Sequence, residues 1–161
     1  MKIKLFKFKS VKSTNDIALK LIKKKKLTTA IILSERQTRG RGTMGKKWIS
    51  KKGNLFISIF FQINNTKLDF KDFATLNPYI ITSVIKKYSY YKINIKWPND
   101  ILIKSKKVCG ILQEIIEHKK KKYLIIGIGI NTLKSCSTKD FESTSLQKCT
   151  NIKVNNNKIL R

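Results

Sequence analysis

Two stretches of the chain, residues 2–9 and 92–96, alternate apolar and polar residues in the two-residue period of a half-buried β-strand. Short apolar runs predict further strands at 29–34, 48–50, 54–62, 101–103, 107–117 and 123–131. The last three runs follow one another and are separated by short polar turns, which is typical of an antiparallel meander. Gly127 and Gly129 indicate that the last strand comes close to another part of the molecule.

Two other stretches carry apolar residues at the spacing of an amphipathic helix. The first follows the sequence STND at 13–16, whose side chains are good helix caps, and should end in the lysines at 23–26. The second covers 68–88, is entered at Asp69 and contains Pro78, which can kink or delay a helix. Residues 146–161 have little apolar material to pack.

These elements predict an α+β fold, with helices packed on one face of a mainly antiparallel or mixed sheet. We expect one domain over residues 1–150, followed by a polar tail at 151–161, because no internal repeat or linker divides the chain. At 161 residues the chain is long enough to bury a substantial core.

The formal net charge of +27 would suit nucleic acid or an anionic membrane surface. However, lysine is spread along the whole chain and rises together with isoleucine and asparagine. We therefore interpret the charge mainly as coding bias in an A+T-rich genome. Weak nonspecific attraction to polyanions is still expected.

The titratable residues give few candidates for metal or thiol chemistry. Cys109, Cys136 and Cys149 form no CxxC pair, and reduced thiols in a cytoplasmic protein are expected. The single histidine, His118, precedes a lysine run and is expected in an exposed turn, so no metal site is predicted. The N-terminus lacks the apolar region of a signal peptide, and no apolar run approaches the roughly 18 residues of a membrane span.

The stretch 34–48, SERQTRGRGTMGKKW, concentrates unusual residues. It holds three of the seven glycines and three of the four arginines. Glycines let the backbone approach a ligand closely, and arginines offer planar forks for carboxylate or phosphate. This stretch predicts an anion-binding loop.

The loop matches GxGxxG by letter, but its context excludes a dinucleotide-binding fold. That motif opens a helix and has an acidic residue about 20 positions later. Here the loop leads towards predicted strand, and the chain carries Ile59, Phe60 and Phe61 at that distance. Protein-kinase motifs are absent, and GKK after Met44 is not a Walker A sequence.

The remaining motifs suit the formation of an acyl adenylate. A carboxylate that attacks the α-phosphate of ATP must approach another anion, so positive groups have to stabilise the transition state. Arg41 and Lys107 are the candidates for that role, and Asp100 could hold an incoming amine or orient the intermediate. Two simpler interpretations stay open: Asp100 as a turn residue after Pro98, and STND as a helix cap only.

Six motifs occur in an order and spacing that resemble the catalytic domain of biotin protein ligases of the BirA type. They are STN at 13–15, QTRGRGTMGKKW at 37–48, NLFIS at 54–58, KWPND at 96–100, KVCGIL at 107–112 and GIGIN at 127–131. The resemblance covers residues 5 to about 150 and implies the biotin/lipoate-ligase catalytic fold, which is similar to that of class II synthetases.

The resemblance implies a two-step reaction, in which biotin and Mg-ATP give biotinyl-5′-adenylate and the adenylate acylates a lysine of a biotin carrier domain, such as that of acetyl-CoA carboxylase. The residues implied to bind biotin are Ser13, Thr14, Asn15, Gln37, Gly40, Arg41, Gly42 and Gly110. Those implied at the nucleotide are Trp48, Lys107 and Asn131. Asp100 would lie near the acceptor amine, and a homodimer is left open.

The chain departs from the family pattern in three places. The usual GRGRxGR loop has Thr43 and Lys46 in place of two arginines, so we hypothesise that the adenylate escapes more readily. No helix-turn-helix domain precedes residue 5, so operator binding is not expected. The chain stops at Arg161, where family members continue into further helices and an SH3-like domain, so a ligase-like remnant that binds biotin but cannot complete transfer is an alternative.

Two further alternatives stay open at this stage. A lipoate–protein ligase shares the mechanism, although the GRG loop and KWPND favour biotin. A basic nucleic-acid-binding module would instead require exposed aromatic residues interleaved with lysines.

Overall fold

The computed structural model describes residues 3–25, 27–63, 69–138 and 141–160. The strands are β1 (Lys4–Phe8), β2 (Thr29–Ser34), β3 (Leu55–Gln62), β4 (Ile93–Lys96), β5 (Asp100–Ile103), β6 (Lys106–His118) and β7 (Lys121–Ile130). The helices are α1 (Thr14–Lys25), α2 (Phe70–Lys86) and the short α3 (Asn156–Ile159). Single 3₁₀ turns occur at Thr43–Gly45 and Leu146–Cys149.

The seven strands of the described residues form one mixed sheet in the order β1-β2-β3-β7-β6-β5-β4. Strands β1 and β2 are parallel, and every other neighbouring pair is antiparallel. The predicted meander is confirmed, because β4 to β7 lie in sequence order at one side of the sheet. The predicted strand at 48–50 is wrong: the chain there closes a loop, with Lys47 making only an isolated bridge to Arg41.

The predicted class, α+β with a mixed sheet, is confirmed, but the two long helices lie on opposite faces. Helix α1 packs against Ile32, Phe60 and Ile125. Helix α2 packs in a second cluster that contains Ile57 and Ile126. Neighbouring residues of a strand point to opposite faces, so the two clusters cover both sides of β3 and β7. The nearly continuous apolar runs in these strands are the pattern of strands buried on both faces.

Helix α2 begins where the sequence predicts it. The Asp69 side chain accepts hydrogen bonds from the backbone N–H groups of Lys71 and Asp72, and the Asp72 carboxylate accepts one from Asp69 N–H in return. This reciprocal cap satisfies N–H groups that the first helical turn leaves free. The helix then continues through Pro78 to Lys86. The first residue of the predicted range, Leu68, lies outside the described residues.

The C-terminal stretch packs more than its composition suggests. Leu146, Cys149 and Val154 are buried in the α2 cluster, and Leu160 is partly buried against it. The expectation of little to pack is therefore wrong, because single apolar residues from an irregular segment cover the end of the core without producing a periodic pattern. The boundary between a domain at 1–150 and a tail at 151–161 stays a prediction.

The β6–β7 hairpin turns at Lys119 and Lys120, which both have positive φ. His118 is paired with Lys121 as the last residue of β6 and is partly buried, so it is not the exposed turn residue that was expected. Within the described residues, no helix is both long and apolar enough to cross a membrane.

Candidate active site

The floor of the candidate site is a patch of sheet without side chains. Gly110 of β6 is paired with Gly129 of β7, and Gly127 lies two residues before Gly129 on the same face, the one that α1 covers. A Cβ atom at Gly110 or Gly129 would lie 2.5 Å from the ring of Trp48, and one at Gly127 would collide with the Asn15 amide. The expectation that this strand meets another part of the molecule is confirmed.

The start of α1 forms one side of this floor. Ser13, Thr14 and Asn15 are all buried. Gln37 Oε1 accepts hydrogen bonds from Thr14 N (2.8 Å) and Thr14 Oγ1 (3.1 Å), while Gln37 Nε2 donates to Ser50 Oγ (3.1 Å). The STND stretch therefore begins a helix and also fixes Gln37 beside it, while its role in binding a ligand stays a prediction.

The glycine loop folds back on itself above the floor. Gly42 N donates to Lys46 O (2.7 Å), and Trp48 N donates to Gly40 O (2.9 Å). A Cβ atom at Gly40 would lie 2.5 Å from the Trp48 carbonyl oxygen, so this crossing requires glycine. The fold of the loop brings the Trp48 ring onto Gly110 and Gly129, which explains how one short stretch supplies both a basic tip and an aromatic surface.

Arg41 points towards carboxylates of the protein itself. Its Nη1 and Nη2 atoms donate to Glu114 Oε1 (2.9 Å) and Oε2 (2.8 Å), and Nη2 lies 3.1 Å from Asp16 Oδ1. Neither carboxylate was predicted as a site residue. A signal was present for Glu114, because it is one of only nine acidic residues and stands two positions after Leu112 in an apolar strand. That spacing places it on the face of Gly110.

Lys107 and Asp100 form an ion pair on the other side of the floor. Lys107 Nζ lies 2.7 Å from Asp100 Oδ1, and both side chains are largely buried. The same nitrogen is 5.3 Å from the centre of the Trp48 ring. Asp100 is paired across the sheet with Gly110, so the predicted residues Asp100, Lys107 and Trp48 meet around one floor glycine.

Asn131 lies two residues beyond Gly129 and is buried. Its Oδ1 accepts a hydrogen bond from Asn54 Nδ2 (3.2 Å). Asn54, which was not predicted, also accepts from Leu133 N (3.0 Å) and Lys134 N (2.9 Å). Asn54 therefore organises the turn after β7 and holds Asn131 at the margin of the floor.

The buried thiol beneath this ion pair is not a nucleophile. Burial raises the pKa of the Cys109 thiol well above its ordinary value; the positive charge of Lys107 opposes the shift and the charge of Asp100 adds to it. The thiol therefore stays protonated near neutral pH, and charge stabilisation by Lys107 is the chemistry that the cluster offers.

Two cavities lie away from this cluster. One, of about 450 Å³, lies near Gly53, Asn156 and the ends of β1 and β2. The other, of about 510 Å³, runs along α2 beside Tyr79, Tyr90 and Tyr91. Neither includes a predicted site residue. We take the polar cluster on the glycine floor as the candidate active site because its charged groups converge there.

Comparison with known proteins identifies the family of this chain. The sequence model of one family, described as biotin/lipoate A/B protein ligase, matches residues 7–131, most of the chain. The chain belongs to the biotin/lipoate A/B protein ligase family. The matched range includes every predicted site residue, from Ser13 to Asn131.

Individual members of this ligase family cover the chain well. It is 32% identical over 123 residues to the bifunctional ligase/repressor BirA of Escherichia coli, which is 75% of this chain and 38% of that protein. It is 25% identical over 121 residues to the biotin–[acetyl-CoA-carboxylase] ligase of Mycobacterium tuberculosis, 72% of this chain and 44% of that protein. The chain thus spans less than half the length of these curated relatives.

The fold agrees with that of a solved ligase. The Aquifex aeolicus biotin protein ligase, in complex with biotin and ATP, superposes with a TM-score of 0.78 and 28% identity over 98% of this chain and 65% of that chain. The structure brings the predicted residues together around the glycine floor. The role of each residue in that cluster stays a prediction.

Proposed function

We propose that this chain is the catalytic part of a biotin–protein ligase. It activates biotin with ATP to biotinyl-5′-AMP and then transfers biotin to a lysine of a biotin carrier domain, with that of acetyl-CoA carboxylase as the expected acceptor. The observation that carries this proposal is the convergence of the glycine loop, Trp48 and the Asp100–Lys107 pair on the glycine floor. An ATP-dependent ligase needs such a surface to hold two anions side by side.

In the first step a carboxylate oxygen of biotin attacks the α-phosphorus of ATP, and pyrophosphate leaves. Negative charge accumulates between the two substrates, and Lys107 supplies a largely buried positive charge near that position. The ring of Trp48 offers a stacking surface for the adenine, with Asn131 at the margin of the floor. Gly110 and Gly129 let this ring lie directly against the backbone of the sheet.

In the second step the lysine amine attacks the acyl carbon of the adenylate, AMP leaves, and the nitrogen gives its extra proton to solvent. Asp100 is the carboxylate that we assign to the incoming amine. Its pairing with Lys107 at 2.7 Å supports a combined role, because release of one partner would expose the charge of the other to a substrate. Substrate binding would therefore shift Lys107 from Asp100 towards the acyl phosphate.

The biotin side of the site is the group at the start of α1. Ser13, Thr14 and Asn15 are buried there, and Gln37, which is hydrogen-bonded to Thr14, lies next to Gly40 of the loop that also contains Arg41 and Gly42. Biotin carries a ureido group with both donors and acceptors, and a cluster of amide and hydroxyl groups suits it better than a charged pocket would.

Mg²⁺ belongs with the nucleotide in this proposal. The described residues contain no group of three or more His, Cys, Asp or Glu side chains that could hold a metal. Magnesium in nucleotide sites is commonly held by one or two carboxylates together with the phosphates. We therefore expect it to arrive with ATP and to neutralise phosphate charge there.

The family includes lipoate ligases, and the GRG loop and KWPND are what favour biotin here. A nucleic-acid-binding role has one observation in its favour: Tyr79 and Tyr90 are exposed beside Lys86 and Lys92, along the α2 cavity. Stacking surfaces next to lysines suit single-stranded nucleic acid.

A cytoplasmic location accompanies the ligase proposal, since the three cysteines are free thiols.

The test is biotin-dependent exchange of pyrophosphate into ATP by the 161-residue chain, followed by transfer to a biotin carrier domain. Exchange with transfer is the expected result. Exchange with lipoate alone would contradict the choice of substrate, and biotin binding without exchange would identify a remnant. If the chain shows no exchange and no biotin binding but binds DNA in a salt-dependent way, the ligase proposal is overturned in favour of the nucleic-acid role.

A further inference from the structure

Glu114 connects three parts of the candidate site. Its carboxylate accepts two hydrogen bonds from the Arg41 guanidinium, at 2.9 and 2.8 Å, and one from Asn15 Nδ2 at 2.7 Å. Arg41 belongs to the glycine loop, Asn15 to the start of α1 and Glu114 to β6. A single carboxylate thus joins the loop, the helix and the sheet floor.

The two contacts differ in what they determine. The paired contact with Arg41 has the geometry of a guanidinium–carboxylate fork, which sets orientation as well as distance. Residues 42–46 of the loop bond mainly within the loop, apart from Asn99 Nδ2, which donates to Thr43 Oγ1 at 3.2 Å. The fork is therefore the principal charged attachment of the loop tip to the sheet.

The contact with Asn15 determines which way its amide faces. Asn15 Oδ1 accepts a hydrogen bond from the Ser58 hydroxyl, so its nitrogen must point to the other side. There the nitrogen donates to Glu114 Oε2 at 2.7 Å, the shorter of its two contacts, and to the backbone oxygen of Leu112 at 3.4 Å. Asn15 lies directly on Gly127, so a change in its orientation would change the shape of the floor.

The neighbouring residue shows that this direction is set by the strand. Gln113 points to the opposite face and accepts a hydrogen bond from Asn77 Nδ2 of α2 at 2.6 Å. Glu114 faces α1 and the loop instead, as strand alternation requires. Glu114 is thus the acidic residue that β6 places on the floor side, four positions beyond Gly110.

We propose that Glu114 is a positioning residue for the biotin side of the site. It holds Arg41, and through it the glycine loop, against the sheet before substrate binds, and it fixes the orientation of Asn15. In this proposal Arg41 mainly attaches the loop to the sheet, while Lys107 stabilises the negative charge of the transition state. The kinetic consequence rests on the proposed ligase function, but the effect on the loop does not.

The first test is independent of activity. Three of the four arginines lie at 36, 39 and 41, so an arginine-specific protease can be used to monitor this region despite the abundant lysines. We expect Glu114→Ala to increase cleavage after Arg39 and Arg41 several-fold. Cleavage after Arg36 is the internal reference, because Arg36 O accepts a hydrogen bond from Val11 N at 3.1 Å. Glu117→Gln, an exposed acidic residue on the same strand, is the matched control.

The second test separates binding from chemistry. If the loop and Asn15 mainly shape the biotin pocket, Glu114→Ala should raise the KM for biotin by roughly 10-fold and leave kcat nearly unchanged. Glu114→Gln keeps an acceptor for both partners and should recover part of that loss. In a double-mutant cycle, Arg41→Gln and Glu114→Gln should be less than additive, because each removes the same charged contact.

Unchanged cleavage after Arg39 and Arg41 in Glu114→Ala, together with an unchanged KM for biotin, would overturn the proposal. A loss of kcat equal to the loss of kcat/KM would also overturn it, since that result assigns Glu114 to the chemical step. If the parent chain shows no exchange, the ligase proposal fails, and the cleavage rates still decide the role of Glu114. If Glu114→Ala does not fold, Glu114→Gln gives the same comparison, and Arg41→Gln, which lacks the cleavage site after residue 41, is compared by cleavage after Arg39 alone.

Discussion

The two ends of the β6–β7 hairpin differ in where glycine occurs and in why it is needed. At the site end, Gly110, Gly127 and Gly129 stand where any side chain would collide with Trp48 or Asn15, and none of the three has positive φ. At the far end, Lys119 (φ 51°) and Lys120 (φ 60°) occupy a turn whose backbone favours glycine or asparagine. Glycine is therefore present where space is short and missing where the turn alone would favour it.

This difference shows what constrains each end. A two-residue turn with both φ angles positive tolerates lysine at a modest cost in stability. A side chain on the floor would displace the residues that form the site. Function should therefore respond strongly to changes at the site end, and stability should respond weakly to changes at the turn.

The largest effect is expected for Lys107→Ala. Removing a preorganised positive group from a largely buried position typically lowers kcat by about 100- to 1000-fold. We expect a loss of that order in biotin-dependent pyrophosphate exchange. Lys106→Ala is the matched control, because the neighbouring Lys106 forms an exposed ion pair with Glu142 and should matter little. Equal losses in both variants would show that charge near β6, rather than this residue, is what counts.

Gly129→Ala should produce the next largest effect. Its methyl group would lie 2.5 Å from Trp48 Cε2, so the ring must leave the floor. Overpacking of this kind costs roughly 1–3 kcal/mol, or about 5- to 150-fold in an equilibrium. We expect weaker ATP binding by titration, with the protein still folded by circular dichroism. Gly53→Ala adds the same methyl group outside the site and should lower the melting temperature instead. Unchanged ATP binding in Gly129→Ala would show that Trp48 is not part of the nucleotide site.

Thr43→Arg tests the altered loop above the site end. An added guanidinium over the adenylate should slow its escape by several-fold, which can be measured as free biotinyl-5′-AMP in solution. Met44→Arg, which adds the same charge at an exposed neighbouring position, should have a smaller effect. Equal leakage by the parent chain and Thr43→Arg would show that Thr43 does not cause adenylate loss.

The smallest effect is expected at the far turn. Replacing Lys119 by Asn and Lys120 by Gly should stabilise the protein by about 1 kcal/mol, because these residues adopt positive φ more readily. Urea denaturation would measure this gain, and pyrophosphate exchange should not change. A loss of stability would mean that the lysine side chains contribute contacts that outweigh the backbone cost.

Much of the fold was predictable because local patterns and the tertiary structure agree. The run at Thr29–Ser34, the Asp69 cap and the lysine-rich end of α1 each carry their own signal, and each element lies where that signal predicts it. The side of the sheet on which each helix packs could not be predicted, because a strand with apolar residues at successive positions fits both faces. Leu146 and Val154 were missed for a related reason, since single buried residues in irregular chain have no period.

The same division applies to the site. The sequence by itself determined the inventory: three glycines and three arginines in one loop, a carboxylate after Pro98, and a lysine three residues before Gly110. The order and spacing of the motifs were enough to indicate the family, because both can be read from the sequence without knowing which residues are in contact. Only the tertiary structure decided the partners: Arg41 with Glu114, Lys107 with Asp100, and Trp48 on Gly110 and Gly129. These contacts join residues up to 81 positions apart, as Gly129 and Trp48 are, and the register of the sheet together with the fold of the glycine loop brings them together.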